Sequence, residues 1–159
     1  MSLRYVYGHE DRQSNEIVAR FVAQLIPHVD RGFPAGHQSI GVCDVQGRLI
    51  AGVVYYYQNK RNGTIEVATA ALPNTVWFTR ETLRRMADFA FKHCGCQMVI
   101  MRVRAEDERL QAQLARFGCS FVRVPRLYGR DSDGVMCLLT DDVYAEHPAV
   151  RRDEIREAA

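Results

Sequence analysis

Between Ser39 and Leu72 three β-prone runs follow one another with only two short polar turns between them. Ser39 to Val45, Leu49 to Tyr57 and Thr64 to Leu72 are rich in Val, Ile, Tyr and Thr. Gln46-Gly47-Arg48 and Asn59 to Gly63 separate them, and such turns make consecutive antiparallel strands the simplest topology. A half-buried antiparallel block needs something packed against it, and the flanking sequence supplies helices. Before the block, Arg4 to His9 reads as a short strand. Ser14 or Asn15 can cap a helix whose face is Ile17, Val18, Phe21, Val22, Leu25 and Ile26, with Pro27 at its end. His28 to Gln38, rich in Gly and Pro, reads as a loop.

After the block the period changes. Pro73-Asn74 breaks the strand, Thr79 can cap a second helix, and Glu81 suits its positive end. Leu83, Met86, Ala87, Ala90 and Phe91 form its stripe, and Gly95 is a natural stop. Gln97 to Arg104 predicts a strand, Glu106 to Phe117 a helix closed by Gly118, and Ser120 to Arg126 and Val135 to Thr140 two more strands. The expected order is β-α-β-β-β-α-β-α-β-β. It predicts an α/β (α+β) fold: a mixed, mostly antiparallel sheet of about seven strands flanked by helices. Residues 1–141 read as one domain and residues 142–159 as a polar tail, with a weak helical signal interrupted by Pro148.

Composition narrows the function classes. With 47% apolar and 25% charged residues, the 159-residue chain has an ordinary globular balance. A net charge of +2 gives no reason to expect nucleic-acid binding, and no apolar run is long enough for a membrane. Met1-Ser2-Leu3-Arg4-Tyr5 carries no export pattern, so a cytoplasmic location and reduced thiols are expected for the five cysteines. His93-Cys94-Gly95-Cys96 is a metal-like cluster without a second pair of ligands, so no metal is expected.

From Thr64 to Thr140 the chain resembles the second half of the GNAT N-acetyltransferases, including the branch acting on ribosomal-protein N-termini. The resemblance is carried by Glu81-Thr82-Leu83-Arg84-Arg85-Met86-Ala87-Asp88-Phe89-Ala90-Phe91, similar to that branch's central helix. Glu106 to Gly118, followed by Cys119-Ser120-Phe121-Val122, is similar to its next helix and turn. Over Arg4 to Tyr57 the likeness is one of element order. The resemblance implies acetyl-CoA as co-substrate and an amine, small molecule or peptide, as acceptor. In the family the pantetheine arm lies beside the fourth strand, which implies contacts at Val67, Ala68 and Thr69. The alanines also read as packing beneath a helix.

The family's diphosphate loop, Gln/Arg-x-x-Gly-x-Gly/Ala, corresponds to Asn74-Thr75-Val76-Trp77-Phe78-Thr79, so Trp77 and Thr79 stand at the glycine positions. The Thr79 hydroxyl, Arg80 and Arg84 compensate by offering donors to phosphate. For Arg80 and Arg84 the competing reading is a solvated helix face, the one expected for Arg85; for Trp77 it is a core cap. The resemblance gives Glu66 the role of base toward the amine, against a cross-strand salt bridge. The family's acid, a tyrosine, is replaced by Leu114; Tyr128 can donate a proton instead, or simply pack. Asp107 replaces the family's CoA-contacting Asn and can still accept hydrogen bonds there, but reads first as a helix cap. The acceptor is expected near His28 to His37 and the tyrosine end of the third strand, Tyr55 to Tyr57. Direct attack is expected rather than transfer through Cys119. The alternative is a non-catalytic, CoA-holding or protein-contact module with a degenerate phosphate loop. Dimerisation is common in the family, and no residue here requires it.

Overall fold

A computed structural model describes every residue except Met1, Pro27, His28 and Asp30. The expected helix end at Pro27 and the loop residues His28 and Asp30 lie outside the described residues. Strands β1 (Arg4–Tyr7), β2 (Gln38–Cys43), β3 (Leu49–Asn59), β4 (Thr64–Ala71), β5 (Met98–Arg104), β6 (Ser120–Val124) and β7 (Gly134–Thr140) form one sheet in the order β1-β2-β3-β4-β5-β7-β6. Helices α1 (Arg12–Leu25), α2 (Arg80–Asp88), α3 (Glu108–Ala115), α4 (Asp141–Glu146) and α5 (Pro148–Ala158) complete the fold. Mixed α/β layering, seven strands and mostly antiparallel pairing agree with the pattern in the sequence.

The chain divides into two compact units. The first comprises the residues through Gln58 and Glu66–Met86. Here β1 pairs antiparallel with β2, and β2 with β3 through the register Gln38↔Tyr55 to Cys43↔Leu49. Asp44 closes the β2–β3 turn by accepting from the backbone N–H groups of Gln46 and Arg48 at 3.0 and 2.9 Å. α1 is capped by Asp11 rather than by Ser14 or Asn15: the Asp11 carboxylate accepts from the Ser14 N–H at 3.1 Å. Its buried face is Asn15, Val18, Ala19 and Val22, one step round from the expected stripe, so that Ile17 and Leu25 are exposed. The shift follows from what lies below. Asn15 is buried because Ser39 donates to its Oδ1 at 2.8 Å and Asn15 donates to the His37 carbonyl at 3.1 Å. That knot meets the chain at Gly8, where a Cβ would collide with Asn15 and Ser39.

The second unit comprises Asn59–Ile65 and Ala87–Ala159. β7 pairs antiparallel with both β5 and β6. The helix begun as α2 runs on into a π-helical turn, Phe89–His93, before Gly95 ends it with φ 66°. The tail is helical. Pro148 occupies the first turn of α5, where its missing N–H costs nothing, so it starts a helix rather than interrupting one. Tyr144 and Val150 pack with Ala87, Phe91 and Leu139. No helix among the described residues is long and apolar enough to cross a membrane.

Candidate functional site

β4 presents two chemically different faces because its side chains alternate. Glu66, Ala68 and Ala70 share one face, and Ala70 packs with Phe33 against Ala19, Val22 and Val54, so that face is turned towards α1. Val67 and Ala68 are buried and Thr69 is half-buried. Glu66 is half-buried, with one carboxylate oxygen shielded from solvent. At β3 the tyrosines divide by the same alternation. Tyr55 is buried and donates to the Met86 carbonyl at 2.8 Å, whereas the Tyr56 ring lies 5.3 Å from that of Phe33.

The segment from β4 into α2 is tied down by its own side chains. Asn74 takes the left-handed conformation, φ 59°, which Asn tolerates. Trp77 packs against the cluster of Val42, Ile50 and Ala51 together with Leu3 and Tyr5. Thr82 lies in the first turn of α2, is 1% exposed, and donates its hydroxyl hydrogen to the Trp77 carbonyl at 2.6 Å. That hydrogen is its only one, so the Tyr5 and Thr79 hydroxyls donate to Thr82 Oγ1 at 2.9 and 3.0 Å. Thr79 Oγ1 also accepts from the Thr82 N–H at 3.1 Å, capping α2 as the sequence predicts.

Three arginines follow one another on this helix. Arg80 is exposed on its first turn. Arg84 lies 3.5 Å from Glu81. Arg85, expected on a solvated face, is instead fixed: it bonds Glu81 at 2.8 Å, donates to the Tyr7 hydroxyl at 3.1 Å and stacks 4.4 Å over the Tyr5 ring. β1 brings those two tyrosines beneath α2, a contact no local pattern announces.

In the second unit Asp107 caps α3, accepting from the Leu110 N–H at 3.2 Å. The Tyr128 ring lies 4.9 Å beneath the Arg104 guanidinium. Burial pushes its phenol up from the usual tyrosine value, with Arg104 and Arg102 pulling the other way, so it keeps its proton at neutral pH. Burial likewise pushes the Cys119 thiol up to about 11, which leaves it a poor nucleophile. No group of three metal-ligating side chains occurs among the described residues.

A cavity of about 460 Å³ opens beside α1 and the loop that follows it. Ala19, Ala23 and Phe33 form its apolar wall, and Glu16 and His37 bring polar atoms to it. Small side chains at Ala19 and Ala23, one turn apart, leave the space. His37 is held by Asn15 through its carbonyl and by a 3.0 Å hydrogen bond from Nδ1 to the Pro34 carbonyl. The sequence points to this loop, with His37 at its end, as the acceptor region but not to Glu16. The spacing Glu16-Ala19-Ala23 on one helix face was the available signal.

This arrangement of strands and helices is the fold of the GNAT acetyltransferases. Among solved structures, the spermidine/spermine N-acetyltransferase SpeG of Vibrio cholerae, in complex with manganese ions, superposes with a TM-score of 0.71 at 16% identity, over 92% of this chain and 96% of that one. A dodecameric structure of spermidine N-acetyltransferase from the same organism gives 0.67 at 16% identity, over 92% and 97%. The ribosomal-protein-S5-alanine acetyltransferase of Vibrio fischeri gives 0.59 at 15% identity, over 67% and 62%. No protein-family model matches the chain, and no curated protein matches it in sequence.

Proposed function

We propose that this protein is an acetyl-CoA-dependent N-acetyltransferase that acylates an amine by direct attack. The observation carrying the reading is the superposition, over nearly the whole chain, on an enzyme that acetylates amines. When bound, acetyl-CoA supplies the activated acyl group. The residues present suit it: β4 offers small side chains at Ala68 and Ala70, and the first turn of α2, with Arg80 exposed upon it, suits a diphosphate. Glu66 accepts the proton released as the amine nitrogen bonds to the thioester carbon, and Tyr128, which keeps its proton, is assigned to the departing thiolate. The cavity beside α1 is assigned to the acceptor. A cytoplasmic location and assembly into a homo-oligomer belong to the same proposal, the latter supported by the Vibrio cholerae dodecamer.

A second reading, a non-catalytic module, is favoured by one observation: Trp77 and Thr79, at the family's glycine positions, are spent on core packing and on the hydroxyl chain. Calorimetric titration with acetyl-CoA, CoA and dephospho-CoA separates the two. Saturable binding, weakened about tenfold by Arg80→Ala, is expected for a charge-assisted phosphate contact. Absence of heat and of thermal stabilisation at millimolar ligand favours the second reading.

A further inference from the structure

The His37 ring defines its own protonation pattern. A carbonyl only accepts hydrogen bonds, so the 3.0 Å contact between Nδ1 and the Pro34 oxygen requires the proton on Nδ1. In the neutral ring Nε2 is then a bare acceptor. That atom is shielded from solvent and has no hydrogen-bond partner among the described residues. The Glu16 carboxylate lies 3.6 Å away, too far for a hydrogen bond. Two acceptors therefore lie side by side where both residues line the cavity, Nε2 just beneath the surface and the carboxylate at it.

A donor carrying more than one hydrogen on a single atom satisfies both at once, and the carboxylate favours a positively charged one. An ammonium group meets both conditions. The apolar wall of Ala19, Ala23 and Phe33 suits a short aliphatic stem. The same cavity is lined by Arg20 and Arg31, whose charge opposes a second ammonium and favours an anionic or uncharged far end. We infer that the cavity beside α1 binds an organic amine of single positive charge, its ammonium between Glu16 and His37 and its remainder towards Arg20 and Arg31. Only the ligand's role as acetyl acceptor rests on the acetyl-transfer reading.

The test is a calorimetric titration of the full chain, without acetyl-CoA and in an amine-free buffer, with γ-aminobutyrate, n-butylamine, butyrate and spermidine. Saturable binding of γ-aminobutyrate is expected, with n-butylamine weaker, spermidine weaker still and butyrate silent. Glu16→Gln, at an exposed helix position, is expected to weaken γ-aminobutyrate about tenfold without lowering the melting temperature. His37→Phe is expected to weaken it similarly, with some loss of melting temperature because the Pro34 carbonyl loses its donor. Tighter binding of spermidine, binding of butyrate as strong as that of the amines, or unchanged affinity in Glu16→Gln overturns the inference, as does silence from every amine at millimolar concentration. Failure of the acetyl-transfer reading shows instead in the separate titration with acetyl-CoA.

Discussion

The β4–α2 segment and the α1 cavity differ in where their polar groups are spent. In the first, residues of striking chemical type serve the chain itself. Trp77 packs, Thr79 caps and joins a hydroxyl chain, and Arg85 is held by Glu81 and two tyrosine rings. In the second, a loop of ordinary composition carries an imidazole nitrogen that is shielded from solvent and has no hydrogen-bond partner among the described residues, on a residue that lines the cavity. Residue type thus marks a site poorly when partners are available within the fold.

The comparison breaks most visibly at Glu66, which lies on the α1-facing side of β4. Glu66→Gln keeps the shape and removes the base, so turnover with a competent amine is expected to fall about 10²–10⁴-fold with little change in acetyl-CoA affinity. A steady-state assay beside a binding titration checks this, and unchanged turnover removes Glu66 from the mechanism. Thr82→Val probes the internal side. It strips the hydroxyl that Tyr5, Thr79 and the Trp77 carbonyl share, and about 2–3 kcal/mol of stability should go with it. Urea unfolding measures the loss; a change below 0.5 kcal/mol, about the least that one intramolecular hydrogen bond contributes, means the chain of hydroxyls is not holding the helix start. The smallest effect is expected at Asp107, where the cap alone is lost: Asp107→Ala should cost about 1 kcal/mol and leave acetyl-CoA affinity unchanged. A marked loss of affinity instead returns Asp107 to the ligand.

Much of the first unit was legible because its signals are local. The Gln46-Gly47-Arg48 turn, the β-prone runs and the Thr79 cap each rest on neighbours in sequence. The face of α1 lies one step from its local pattern for the opposite reason. Asn15 looks like a cap or a surface residue, and only the arrival of Ser39 and the His37 carbonyl makes it a buried one. Arg85 departs from its local pattern likewise, since Tyr5 and Tyr7 lie some eighty positions earlier. His37 gave no sign of being special, because its bare nitrogen follows from where the Pro34 carbonyl points.

By itself the sequence determined the order of strands and helices, since hydrophobic period and turn chemistry act over a few residues. It also carried the resemblance of Thr64 to Thr140 to the GNAT acetyltransferases, whose fold the structure has. Tertiary structure alone decided which polar groups found partners inside the chain and which, like His37 Nε2, did not. Hydrogen bonds across long loops are settled by three-dimensional proximity, and no local pattern encodes that.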